Sequence, residues 1–130
     1  MAKRRKQKPK TKQPVRVRQK EAIVLIPLTY NDGTKVSRAT LESIRDDLFL
    51  AFAGWTIEAT VTGSYLMRQT GQRRVEKLQK ISVVLEAGQT SELEEMVARW
   101  GAMLGQEAML LKISDFAVKF ISPHTEEEAL

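Results

Sequence analysis

Apolar and polar residues recur along this chain with two distinct periods, and each period marks an element. Residues 22–28 (Ala-Ile-Val-Leu-Ile-Pro-Leu) are a continuous apolar run of strand length, rich in β-branched side chains. That pattern predicts a central strand covered on both faces. Pro27 has no N–H for a ladder, which puts it near the strand end or at a bulge. Asn31-Asp32-Gly33 then reads as a turn, with a glycine free to take positive φ. Ser37 suits a helix N-cap, and Val36 before it can pack on Leu41 as a hydrophobic staple. Leu41, Ile44, Leu48 and Phe52 follow at helical spacing, with Glu42, Arg45, Asp46 and Asp47 on the other side and Gly54 as the stop.

Residues 56–67 and 75–86 read as two strands of a hairpin with its tip near Thr70-Gly71. In the first, Ile57, Ala59, Val61, Tyr65 and Met67 alternate with Glu58, Thr60, Thr62 and Ser64. In the second, Ile81, Val83 and Leu85 face the core, and Lys80, Ser82 and Glu86 face away. Ser91 with Glu94 predicts a capping box for a second helix, whose apolar stripe is Leu93, Met96, Val97, Trp100, Met103 and Leu104. Gly105 ends it. Residues 108–113 and 116–121 are two further strands. The order is β-α-β-β-α-β with an extra C-terminal strand. Right-handed crossovers then place two helices on one face of an antiparallel sheet, a ferredoxin-like α+β sandwich over residues 21–121.

Several short pieces support this frame: Pro27-Leu-Thr-Tyr-Asn-Asp-Gly33, Gly54-Trp55-Thr56, Gly63 and Leu104-Gly-Gln-Glu-Ala-Met109. In that order and spacing the chain resembles a group of small uncharacterised bacterial proteins of ferredoxin-like fold. The resemblance implies an α+β domain in a bacterial setting, and it carries no activity.

Charge divides the chain. Of the 21 Lys and Arg residues, ten lie in the first 20 positions with no Asp or Glu among them: Lys3, Arg4, Arg5, Lys6, Lys8, Lys10, Lys12, Arg16, Arg18 and Lys20. The remaining 11 face all 16 acidic residues, so residues 21–130 carry a net −5. Residues 1–20 have almost nothing to bury and are expected to form a disordered tail. Residues 122–130 are expected to be a frayed acidic end. The apolar run 22–28 is far short of the roughly 20 residues of a membrane span and has no cleavage pattern after it. A cytoplasmic protein without membrane contact is therefore expected. The absence of cysteine excludes disulfides, thiolate metal sites and cysteine nucleophiles.

No catalytic or metal-binding constellation emerges from the spacing, and no cofactor is expected. The single histidine, His124, lies in the C-terminal fringe, where nothing fixes its geometry. Tyr30, Asp32, Gln106 and Glu107 are the candidate ligand residues, each with an alternative role in a turn or at a helix end. The tail suits phosphate neutralisation, and Arg68, Arg73 and Arg74 around the hairpin tip form a second basic element, either for phosphates or as a solvated loop. The central strands contain no aromatics for base stacking, which excludes the usual RNA-recognition use of this fold. On the sheet face away from the helices, Ile23, Leu25, Val84 and Leu110 should form an apolar centre ringed by Thr60, Thr62, Lys80, Ser82 and Lys112, the anatomy of an interface. Trp100 is assigned to the core and Trp55 to its rim. The sequence thus points first to a non-catalytic binding or assembly module whose tail engages an anionic partner, DNA or RNA foremost. The alternatives are a homodimeric small-molecule-binding domain or small enzyme with a pocket at the open sheet face, and a structural subunit of a larger complex.

Overall fold

Residues 15–18, 20–115 and 118–124 are described by the structure, a computed structural model. Its elements in chain order are β1 (Val15–Arg18), β2 (Lys20–Pro27), α1 (Arg38–Phe52), β3 (Thr56–Leu66), β4 (Arg73–Leu85), α2 (Thr90–Met103), β5 (Leu111–Ser114) and β6 (Val118–Ile121). Strands β2 to β5 make one sheet in the order β3-β4-β2-β5 with every pair antiparallel. This is the ferredoxin-like arrangement, with β2 and β4 central.

Alternation along β2 explains its apolar run. Ala22, Val24 and Ile26 are fully buried and join Ile81, Val83 and Leu85 of β4 beneath the helices. Both helices close the same face: Ile44, Leu48 and Phe52 come from α1, and Leu93, Met96, Val97, Trp100 and Leu104 from the α2 side. Ile23 and Leu25 point to the opposite face and are only partly covered.

Helix α1 starts as predicted, with the Ser37 hydroxyl accepting from the Thr40 amide at 3.1 Å. Its reversal falls on Ala53 (φ 66°) rather than Gly54, because Phe52 stays helical to reach the core and the Ala53 amide closes on Phe49 O at 2.8 Å. The predicted Ser91/Glu94 capping box does not form. Helix α2 begins at Thr90 behind Gln89, whose side chain instead accepts from the Glu86 amide at 2.8 Å. Gly105 ends α2 with φ 67°, as expected. Met103, assigned to the apolar stripe, is 51% exposed beyond the edge of the core.

Two corrections concern the strands. A bulge between Ile57 and Ala59 removes Glu58 from the pairing, and Glu58 meets Lys80 Nζ at 3.2 Å. A single extra residue inverts the alternation downstream. Ile57, opposite Ile81, therefore faces the helices, whereas Ala59, Val61 and Tyr65, opposite Lys80, Leu78 and Arg74, face the open side. Thr60 and Thr62, expected to ring the open face, lie on the helix side.

The second correction concerns the tail. Val15–Arg18, assigned to it from the sequence, form β1 and pair antiparallel with β6, Val15 opposite Ile121. Lys20, also assigned to the tail, begins β2 opposite Leu85 and meets Asp115 at 3.2 Å. Val15 and Val17 supply a period of two that the flanking arginines conceal. The extra C-terminal strand thus joins a separate two-stranded ribbon, not the main sheet. Lys3, Arg4, Arg5, Lys6, Lys8, Lys10 and Lys12 lie outside the described residues. No described helix is long and apolar enough to cross a membrane.

Candidate ligand site

The register of β3 and β4 builds the floor of a pocket on the open face. Tyr65 stands opposite Arg74, Gly63 opposite Glu76, and Val61 opposite Leu78, and Leu78 and Lys80 in turn oppose Pro27 and Leu25 of β2. Partners across a ladder share a face, so Tyr65, Arg74, Glu76, Leu78, Leu25 and Pro27 surround one concavity. The hairpin tip at 66–69 and the segment 106–110 between α2 and β5 rise as its walls. The enclosed volume is about 710 Å³.

Its buried charge is one pair. The Glu76 side chain is 5% exposed and Arg74 is 16% exposed, with Arg74 Nε 3.2 Å from Glu76 Oε1. The other Glu76 oxygen has no partner among the described residues. Arg74 also donates from both terminal nitrogens, to Asn31 O at 2.9 Å and Tyr30 O at 2.8 Å. A buried ion pair contributes little net stability, yet losing one member leaves an uncompensated charge. Burial first, and the Glu76 charge second, push the Tyr65 phenol above its ordinary range.

The walls are tied to the floor. The Asn31 amide donates to Gly105 O at 2.8 Å, and the Gln106 amide reaches Asn31 Oδ1 at 3.5 Å. The Glu107 carboxylate accepts from the Arg68 and Gln69 amides at 3.2 and 3.3 Å, joining one wall to the other.

Of the four candidate ligand residues, Gln106 and Glu107 line this pocket and Tyr30 and Asp32 do not. Tyr30 supplies only its carbonyl, and its side chain packs on the core. Asp32 accepts from the Thr34 hydroxyl at 2.6 Å and amide at 2.9 Å, which holds its carboxyl below the usual range. Arg68 and Arg74 line the cavity, whereas Arg73 turns to Ser64 Oγ at 2.8 Å. Of the expected interface, Leu25 and Leu110 line the pocket. Val84 belongs to a second cavity of about 370 Å³, shared with Trp55, Ser82 and Phe120 of β6. The ribbon thus reaches one end of the open face. Tyr65, Glu76, Met67 and Met109 escaped the sequence reading, although the alternation that places Leu78 and Lys80 outward also carries Glu76 to that face. Among the described residues no cluster of three or more acidic, histidine or cysteine side chains could hold a metal.

No family model and no curated protein matches the chain. Solved structures do match it. A phage SAM lyase in complex with S-methyl-5'-thioadenosine gives a TM-score of 0.59 at 13% identity, over 80% of this chain and 90% of that one. A phage SAM lyase in the apo state gives 0.51 at 15% identity, over 83% and 93%. The B. subtilis GlnK–ATP complex gives 0.49 at 15% identity, over 75% and 82%. At such identities the likeness is one of fold.

Proposed function

We propose that the open-face pocket binds S-adenosylmethionine and that the protein cleaves it to S-methyl-5'-thioadenosine. The observation that carries this reading is Glu76, a carboxylate only 5% exposed in the lining of a cavity of about 710 Å³. The candidate ligand comes from the phage SAM lyase of similar fold. Small-molecule sites typically enclose about 300–1,000 Å³ with few polar groups among apolar ones. Leu25, Met67, Met109 and Leu110 supply the apolar part here.

The chemistry follows from charge. S-adenosylmethionine is a sulfonium cation. Arg74 already engages Glu76 Oε1, so the other oxygen is the one left to meet it, and shielding from water strengthens that attraction. When the C–S bond breaks, its electron pair stays on sulfur. The cation becomes a neutral thioether that Glu76 no longer holds, which favours release. Of the lining carboxylates, Glu107 has both oxygens engaged by the Arg68 and Gln69 amides and Glu76 is held by Arg74 in the floor, which leaves the attack on the substrate carbon to the substrate itself. The substrate's own carboxylate takes that role, closing a lactone in an intramolecular step accelerated by orientation.

The test is to incubate the full chain with S-adenosylmethionine and to follow S-methyl-5'-thioadenosine by mass spectrometry. Product above a protein-free blank, with kcat/KM about 30-fold or more lower in Glu76→Gln, supports the reading. The absence of both product and binding overturns it. A homodimer through the same face would cover Leu25 and Leu110, and light scattering with and without ligand separates the two occupants.

A second reading has its own observation, the ten basic residues among the first 20. They would neutralise phosphates of DNA or RNA, with affinity falling steeply as salt rises. Binding to random duplexes across a salt series tests it, and no binding at low salt removes it.

A further inference from the structure

We propose that Arg74 is the positioning residue of this pocket, holding the Glu76 carboxylate in the floor while fixing the wall at 105–110 through the turn between β2 and α1. The choice of probes rests on the sulfonium reading, whereas the clamp itself rests on geometry alone.

Arginine presents its donors in a rigid planar fork. Here three nitrogens of that fork engage three acceptors on two elements: Nε on Glu76 Oε1 at 3.2 Å, and the terminal pair on Asn31 O and Tyr30 O at 2.9 and 2.8 Å. The plane of the guanidinium therefore fixes the carboxylate relative to the turn. That turn is rigid in its own right. The Tyr30 amide donates to Thr34 O at 2.8 Å, the Gly33 amide returns to Tyr30 O at 3.0 Å, and Asp32 accepts twice from Thr34.

From the turn the chain of contacts continues outward. Asn31 donates to Gly105 O at 2.8 Å, and Gln106 reaches back to Asn31. Gln106 and Glu107 open the wall segment that ends at Leu110. One side chain thus connects the charged group of the floor to the loop that forms the opposite wall. Lysine in its place keeps the charge, but a single ammonium on a flexible stem cannot hold three acceptors in one plane. A small displacement of a binding group from its productive geometry is costly to a site of this kind.

A merely structural Arg74 and a positioning one differ in what they move. The experiment compares wild type, Arg74→Lys, Glu76→Gln and the double variant Arg74→Gln/Glu76→Gln, which removes both charges of the pair and so leaves neither unpaired. The probes are S-adenosylmethionine and neutral S-methyl-5'-thioadenosine, measured by calorimetry, with amide hydrogen exchange of residues 30–34 and 105–110 as a ligand-free readout. Wild type should bind the cation more tightly than the thioether. In Arg74→Lys that preference should fall about 10-fold, as expected when a fork-shaped charged contact is lost, and exchange at 105–110 should rise while exchange in β2 and β4 stays unchanged. Wild-type preference and exchange in Arg74→Lys, whatever its melting temperature, overturn the proposal. If wild type binds neither probe, the sulfonium reading fails by itself. The exchange at 105–110 in Arg74→Lys then decides the clamp: faster exchange supports it and unchanged exchange ends it.

Discussion

The Tyr65 hydroxyl lies directly over Gly63, so close that a Cβ at position 63 would overlap it. Gly63 is the ladder partner of Glu76, and the missing side chain is what brings the phenol down beside that carboxylate. Gly63 has no positive φ, so alanine is compatible with the backbone and adds strand propensity. The atoms nearest to that Cβ all belong to the Tyr65 phenol, which has to move. Gly63→Ala should fold with stability within about 1 kcal/mol of wild type. It should bind S-adenosylmethionine about 10-fold more weakly or worse, the consequence of a displaced site residue. Thermal melts and calorimetry on the one variant read both, and unchanged affinity would remove Tyr65 from the site.

The same proximity has a titration signature. The Tyr65 phenol is raised, chiefly by burial and then by the Glu76 charge. A group whose folded pKa lies above its unfolded one holds its proton more tightly when folded. Its contribution to stability is complete below the unfolded value of about 10 and is lost as pH rises through the folded value. Alkaline melts should therefore show a loss of stability above pH 10 that Tyr65→Phe abolishes. Glu76→Gln should shrink that loss without removing it, because burial persists. An alkaline profile identical in wild type and Tyr65→Phe would contradict this.

The fold was legible because its strongest signals are local. Apolar spacing predicted both helices, the N-cap at Ser37, the stop at Gly105 and the central strand. The pocket was less legible, for three physical reasons. The bulge at Glu58 inverts the alternation of β3, and an extra residue in a regular pattern leaves no mark in composition. Arg74 reads from sequence as one of three loop arginines. Its burial depends on the Tyr30 and Asn31 carbonyls, 44 and 43 residues away, a pairing set only by tertiary packing. Glu107 looked like a ligand carboxylate, yet the hairpin-tip amides claim both of its oxygens. Leu25 lies on the open face as strand parity predicts, and Leu110, just before β5, lines the same pocket.

The core offers a test of a different kind. Trp100 is 3% exposed, and its indole Nε1 donates to Asp47 Oδ2 at 3.0 Å, joining α2 to α1. Asp47→Ala leaves a buried donor unpaired and should cost about 1–3 kcal/mol. Trp100→Phe also leaves a void and should cost about 2–4 kcal/mol. In a double-mutant cycle the two should couple by about 1 kcal/mol. Denaturant melts of the four proteins measure it, and strict additivity would mean that the bond contributes nothing.

The ribbon of β1 and β6 separates the charge of the N-terminal region from its contribution to the fold. Deletion through Pro14 and deletion through Lys20 both remove Lys3, Arg4, Arg5, Lys6, Lys8, Lys10 and Lys12. Only the longer deletion also removes β1 from β6 and Lys20 from its places opposite Leu85 and beside Asp115. If the early basic residues carry phosphate binding, both truncations should lose it equally. The longer one alone should melt lower, by about 4–8 °C for each kcal/mol that β1 and Lys20 contribute. Amide exchange over 118–121 should rise in the same variant, because those backbone groups lose their partners to water. Equal melting temperatures with equal exchange would mean that β6 holds its place without β1. Loss of phosphate binding only in the longer truncation would place that function on Arg16, Arg18 and Lys20 rather than on the residues before them.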